Sequence, residues 1–344
     1  MDERKLFKDI FNPLRILLIT ILLIVILLAG VFVYLFTGEA VPAENAVFGV
    51  TFSQKFAEEM GLDWQAAYLD ILDGLGVKKL RLVAYWDKIE PSQGEYFFDD
   101  LDWQIARAEE RDADVILVVG RKVPRWPECH SPEWADNLMV SEQQERILLM
   151  LEEIVNHYSE SETIKAWQVE NEPFLRGFGE CPPLDKQFLD KEVALVRELN
   201  ISGKTIIMTA SGELSSWIQP ALRGDVLGTT LYRNVWSDTF GRVEYPIPPV
   251  FYKKRADFVR FFTEIERVIV IELQAEPWSQ TSIQETSAEE QAKSMDLEKF
   301  KDVIEYARQT GLDEFYLWGV EWWYQKKEQG NDAIWAEAKK LWQY

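Results

Sequence analysis

After Val47, eight short β-branched runs alternate with longer amphipathic segments, no Gly-rich phosphate turn follows the first run, and a nearly unbroken apolar stretch precedes them all. These observations predict an α/β fold, a (β/α)8 TIM barrel preceded by a single N-terminal transmembrane helix. A doubly wound sheet is the competing α/β arrangement. Gly49-Val-Thr-Phe-Ser-Gln54 lacks the phosphate-cradling glycines that usually announce it.

The apolar stretch, Ile16 to Phe36, supplies about the 20 residues a helix needs to cross the hydrocarbon core. Arg4, Lys5, Lys8 and Arg15 lie before it and no base lies in Thr37-Gly-Glu-Ala40, which places the N-terminus in the cytoplasm and the bulk of the chain outside. The expected order is a cytoplasmic tail over 1–15, a signal anchor over 16–36, a short tether over 37–46 and one barrel domain over 47–344. The location is then a single-pass cell-membrane protein with the lipid bilayer as a partner. Secretion after signal cleavage is the alternative, since small residues near 38–43 suit a peptidase, but signal-peptide apolar cores are usually shorter.

Strands are expected over 47–52, 79–84, 115–120, 164–170, 205–210, 226–231, 268–273 and 314–319. Helical periodicity places helices near 64–75, 101–111, 142–158, 184–199, 215–222, 257–266, 288–310 and 333–342. Asp63 caps the first helix, Gly76 follows its last turn, and Gly311 closes the seventh. With no Pro/Gly/Ser-rich linker after 46, one domain accounts for the remainder.

A formal net charge of -21 disfavours nucleic acid, whose phosphates need a basic surface. Only two histidines, His130 and His157, and two cysteines, Cys129 and Cys181, occur in the chain, so a His-rich metal centre and a Ser-His or Cys-His nucleophile have few candidates. No metal or organic cofactor is expected. Carboxylates remain, and in a barrel of this kind the active site lies at the C-terminal strand ends. Fourteen tryptophans exceed what a core needs, which suggests stacking surfaces as well as core filling.

The fourth strand runs into Asn171-Glu172-Pro173, where Pro ends the pairing and leaves an acid at the strand end. Taken alone this is either a solvated strand end or a cleft acid. The seventh strand carries Glu272, with Glu276 beyond it. Two glutamates from separated strands are what glycoside cleavage requires, one protonating the departing oxygen and the other attacking or activating water.

On these residues the chain resembles clan A of the glycoside hydrolases, retaining TIM-barrel enzymes that include families 5, 39 and 42. Trp167-Gln-Val-Glu-Asn-Glu-Pro173 is similar to the clan's fourth-strand signature. The resemblance implies Glu172 as acid/base and Asn171 as a ligand of the sugar's 2-hydroxyl. Ile271-Glu-Leu-Gln-Ala275 resembles the seventh-strand motif, implying Glu272 as nucleophile. Arg81 and Tyr232 match the residues that support that nucleophile, and an Arg fork suits a carboxylate that attacks as an anion. Trp318 resembles the tryptophan that floors the sugar site, with Trp322 competing for the role. Trp86 opens a stretch, to Tyr96, similar to the loop after the second strand, and is a further substrate-binding candidate. Glu276-Pro-Trp278 also mimics the signature, so Glu276 is a rival nucleophile. Glu272 is preferred because it lies closer to the start of its strand.

Cys129 and Cys181 lie in loops after the third and fourth strands, which neighbour each other in a barrel. Outside the cytoplasm a disulfide is possible there, two free thiols being the alternative. Trp126, Trp134, Trp236, Trp278 and Trp323 lie on strand-end loops, as sugar-stacking surfaces or as loop packing. The expected function is a membrane-anchored extracellular retaining glycosidase acting on an oligo- or polysaccharide. The alternative is a non-catalytic cell-surface carbohydrate-binding protein on the same scaffold.

Overall fold

The computed structural model describes residues 13–343. Helix α1 (Pro13–Phe36) is 24 residues long, begins three residues earlier than expected, and leaves its leucines and isoleucines exposed up to Leu28, whereas Leu35 packs against the core. By length and composition it is able to cross a membrane. The tail bases Arg4, Lys5 and Lys8 lie outside the described residues, whereas Arg15 is in α1.

Eight parallel strands close into a barrel: β1 (Val47–Thr51), β2 (Lys79–Val83), β3 (Asp114–Val119), β4 (Ile164–Val169), β5 (Thr205–Ala210), β6 (Val226–Leu231), β9 (Arg267–Gln274) and β10 (Glu314–Trp318). Each falls within a residue or two of its expected position. A small antiparallel hairpin, β7 (Asn234–Ser237) and β8 (Gly241–Glu244), follows β6 and was not expected.

Alternation along the strands divides the side chains into two shells. Ile116, Ala166, Ile207, Val226, Ile269, Ile271 and Tyr316 form a small cluster inside the barrel. Leu80, Leu82, Leu117, Trp167, Val270 and Leu273 face the helices in the main core. Toward the C-terminal ends the interior becomes polar, with Arg81, Gln168, Thr209, Thr230 and Gln274 all buried. These residues position the site.

Several helices differ from expectation for local reasons. The helix expected over 288–310 is two, Ala288–Ser294 and Leu297–Gln309, because Met295 and Asp296 are extended and Asp296 caps the second by accepting from the Lys299 N–H. The helix expected over 257–266 instead occupies Val250–Phe262, starting directly after Pro248 and Pro249. That over 215–222 shrinks to one turn, Ile218–Ala221. The segment 64–75 begins as an α-helix capped by Asp63 and finishes as a π-helical turn, Ile71–Leu75, closed by Gly76. Short helices at Gln54–Glu59 and Trp86–Ile89, and a longer one at Val320–Glu328, were not expected.

Candidate active site

Arg81 is fully buried and organises the polar mouth of the barrel. Its Nε donates to Gln168 Oε1 at 2.8 Å, its Nη1 to Glu272 Oε1 at 2.9 Å and its Nη2 to Asn171 Oδ1 at 2.8 Å. Tyr232 Oη donates to the other oxygen of Glu272 at 3.0 Å. Glu272 is therefore held at both oxygens by residues from two other strand ends.

An irregularity in β9 aims Glu272. Thr229 pairs with Val270, but the next residue, Thr230, pairs with Glu272, so Ile271 is an extra residue in the ladder. Ile271 lies in the interior cluster, and strict alternation would turn Glu272 outward toward the helices. The bulge reverses that parity and brings Glu272 to Arg81.

The end of β4 uses backbone conformation instead. Glu170 and Glu172 adopt left-handed φ values of 58° and 42°, a region side-chain-bearing residues seldom enter. Their carboxyls then go to different places. Glu170 accepts from the Arg121 and Lys122 N–H groups at 2.7 and 2.9 Å and supports the loop after β3. Gly120 is required there, because a Cβ would lie 2.5 Å from a Glu170 oxygen and φ is +123°. Glu172 is 5% exposed, its N–H donates to Thr209 Oγ1 at 2.7 Å, and its Oε1 is sealed from solvent without a hydrogen-bond partner. Burial, followed by the negative charges of Glu272 and Glu128, pushes the Glu172 carboxyl well above the usual carboxylate range, with Lys122 opposing.

Asn171 links Arg81 to Glu128. Its Oδ1 accepts from Arg81 and, at 3.2 Å, from Gln168 Nε2, which fixes its Nδ2 as the donor to Glu128 Oε2 at 3.2 Å. Glu128 was not singled out in the sequence. Burial and the nearby Glu272 push its carboxyl up to about 8, against Lys122 and Asn171.

Glu276 is bound elsewhere. It forms an ion pair with Arg125 Nη1, and Arg125 Nη2 also reaches Glu321 Oε2 at 2.9 Å. The Arg125 guanidinium lies 4.2 Å from the Trp318 ring centroid and 3.7 Å from that of Phe56. Trp318 does reach the barrel mouth, but Arg125 covers one of its ring faces. Trp322 and Trp86 are corrections. Trp322 is buried in the helix layer and donates to Gln291 Oε1 at 3.1 Å, whereas Trp86 is fully buried and donates to Glu90 Oε2 at 2.8 Å. Neither presents a face to a ligand. Trp134 packs edge-on against Trp86, and the indole of buried Trp323 is tied to the Ala275 carbonyl.

Two of the loop tryptophans belong to an aromatic file that reaches Tyr232. Trp278 meets Tyr232 edge-on at 5.1 Å, Phe178 lies 6.1 Å from Trp278, and Trp126, 59% exposed, lies 6.4 Å from Phe178. This aromatic file runs from solvent to the tyrosine that holds Glu272. Cys129 and Cys181 are joined in a disulfide that links the loops carrying Trp126 and Phe178. Among the described residues no cluster of three metal-ligating side chains occurs.

A barrel of eight βα units with Asn-Glu at the fourth strand end and Glu at the seventh is that of a clan A glycoside hydrolase. The sequence profile of glycoside hydrolase family 42, described as beta-galactosidase, matches residues 64–333, and the chain belongs to that family. No curated protein matches the sequence. Similar solved structures include an exo-beta-1,4-mannosidase from Opitutaceae bacterium strain TAV5, at 17% identity and TM-score 0.54, covering 83% of this chain and 54% of that one. A beta-galactosidase from Rahnella sp. R3 is 12% identical with TM-score 0.58, covering 89% and 57% respectively. An endo-beta-1,4-xylanase from Gloeophyllum trabeum is 16% identical with TM-score 0.55, covering 87% and 97%. The chain spans little more than half the length of the first two. At these identities the likeness is one of fold.

Proposed function

We propose that the chain is a membrane-anchored retaining glycosidase that cleaves β-glycosides outside the cytoplasm, with Glu172 as acid/base and Glu272 as nucleophile. The observation that carries this reading is the unequal treatment of the two carboxyls. Glu272 is gripped by Arg81 and Tyr232, whereas Glu172 is buried with one oxygen unpartnered and its proton favoured. A neutral acid beside a paired carboxylate is the arrangement double displacement needs. Glu172 gives its proton to the departing oxygen while Glu272 bonds to the anomeric carbon. Glu172, now anionic, takes a proton from water as that water displaces Glu272, which restores both groups. Asn171, with Nδ2 directed by Arg81 and Gln168, serves as a donor to the sugar, and Tyr232 keeps Glu272 oriented. Trp318 contributes only the part of its ring that Arg125 leaves uncovered.

Because the family is described as beta-galactosidase, β-galactosides are the first substrates to test, followed by β-mannosides, β-glucosides and β-xylosides. Glu272→Gln is expected to lose nearly all turnover and trapping by a fluorosugar. Glu172→Gln should lose about 10²–10⁴-fold on a substrate with a poor leaving group and much less on an activated aryl glycoside. Glu276→Gln should retain labelling at Glu272. Full activity of Glu272→Gln would refute the assignment. Glycan binding without release of reducing sugar would favour a non-catalytic binding protein.

A further inference from the structure

Glu128 has no task in double displacement, yet it is built into the site with care. It is 4% exposed and has φ of +72°. Its N–H donates to the Arg125 carbonyl at 2.7 Å and its carbonyl accepts from Val123 at 2.8 Å. The next residue, Cys129, is tied to Cys181, and Gly179 approaches so closely that an added Cβ would lie 2.7 Å from Cβ of Glu128. The loops after β3 and β4 thus fix this side chain from both sides.

Its two oxygens differ. Oε2 accepts from Asn171 Nδ2 at 3.2 Å. Oε1 makes no hydrogen bond among the described residues and is not among the side-chain atoms sealed from solvent. A buried carboxyl with a purely structural role would be expected to pair both oxygens. The charged groups that face it are Glu272 from β9, Glu172 from the end of β4, Arg81 from β2 and Lys122 from its own loop. Glu128 therefore borders the same space as the two carboxyls assigned to catalysis.

We propose that Glu128 binds substrate directly, its Oε1 forming a hydrogen bond with one ring hydroxyl of the sugar held between Glu172 and Glu272, and that it thereby determines specificity. This rests on the glycosidase reading above. The ligand class follows from the chemistry: a hydroxylated pyranoside ring. A ring deoxygenated at the hydroxyl read by Glu128 leaves a buried polar group without its partner. Such sites reject the deoxy analogue strongly, and a loss of about 100-fold or more in kcat/KM is expected.

The test uses the full-length protein, whichever 4-nitrophenyl β-glycoside it turns over fastest, and the monodeoxy analogues of that glycoside. The wild type should discriminate against each analogue that lacks a bound hydroxyl. In Glu128→Ala, discrimination at one ring position alone should fall to within about threefold, the others being retained. Glu128→Gln, which keeps the shape and a hydrogen-bonding amide, should restore it. If the Ala variant does not fold, Glu128→Asp withdraws the carboxyl by one methylene and should show the same loss at the same position. Unchanged discrimination in a folded Ala or Asp variant, or equal loss at every position, overturns the proposal and leaves the catalytic pair standing. Absence of turnover on every glycoside overturns the glycosidase reading and this proposal together.

Discussion

At Arg81 a single guanidinium divides its donors among Gln168, Glu272 and Asn171, which only a planar fork can do at one buried point. The carboxyls around it titrate differently because their surroundings differ. For Glu128, burial and Glu272 outweigh Lys122, Arg81 and the Asn171 hydrogen bond, so the folded state holds a proton that the unfolded state has released. The sign follows: stability is unaffected below the ordinary carboxyl value of 4.5 and is lost progressively as pH rises from there toward about 8. Glu128→Gln removes that loss. Its melting temperature should equal the wild type's near pH 4 and exceed it increasingly up to pH 8; a gain that is the same at every pH would show that the carboxyl is not buried as a neutral acid. Glu172, Glu272, Asn171, Arg81 and Tyr232 could be picked out in the sequence because each sits in a motif within or directly after a barrel strand. Glu128 was not, since it lies eight residues beyond Gly120 in a loop whose path depends on long-range contacts with Gly179 and Cys181.

Among elements, β9 and the paired loops after β3 and β4 do most to build the site. Strand positions were legible from β-branched runs, but the bulge at Ile271 was not, because nothing in Val-Ile-Val-Ile-Glu marks where the ladder gains a residue. By alternation alone Glu272 would have been placed among the outward residues. Trp86 and Trp322 were misplaced for a related reason: helices at Trp86–Ile89 and Val320–Glu328 turn them into the packing layer, where Glu90 and Gln291 satisfy their indoles. The disulfide acts at this scale. It joins the loop that presents Trp126 and Glu128 to the loop that presents Phe178, across 52 residues of sequence. Reduction should lower stability by about 2–4 kcal/mol, the range usual for a native disulfide. It should also raise KM for oligosaccharides more than for an aryl monosaccharide, because the aromatic file leading outward from Tyr232 loses its brace. An equal effect on both substrates would place the file outside the binding path.

For the whole molecule, the question is how a barrel with its own core relates to an exposed apolar helix. The C-terminal end of α1 is fastened to the barrel rather than trailing from it. Phe36 packs against Phe251 at 5.1 Å, and Lys254 Nζ reaches the carbonyls of Tyr34 and Thr37. The tether that follows is also fixed, since the Ala43 N–H donates to the Arg308 carbonyl at 3.3 Å and the Val41 carbonyl lies against Gly311. Ile16 through Val25, by contrast, presents a run of exposed large apolar side chains. Such a surface is far larger than a soluble protein normally leaves to water, and a lipid bilayer satisfies it without further protein contacts. If α1 is an uncleaved anchor, the full-length protein should remain with membranes through an alkaline carbonate wash. Its mature chain should retain the segment before residue 41, and intact cells should hydrolyse an impermeant glycoside. A mature N-terminus near residue 41 or 44 with activity in the medium would instead identify α1 as a cleaved signal. Membrane retention with activity seen only after permeabilisation would reverse the orientation drawn from Arg4, Lys5, Lys8 and Arg15.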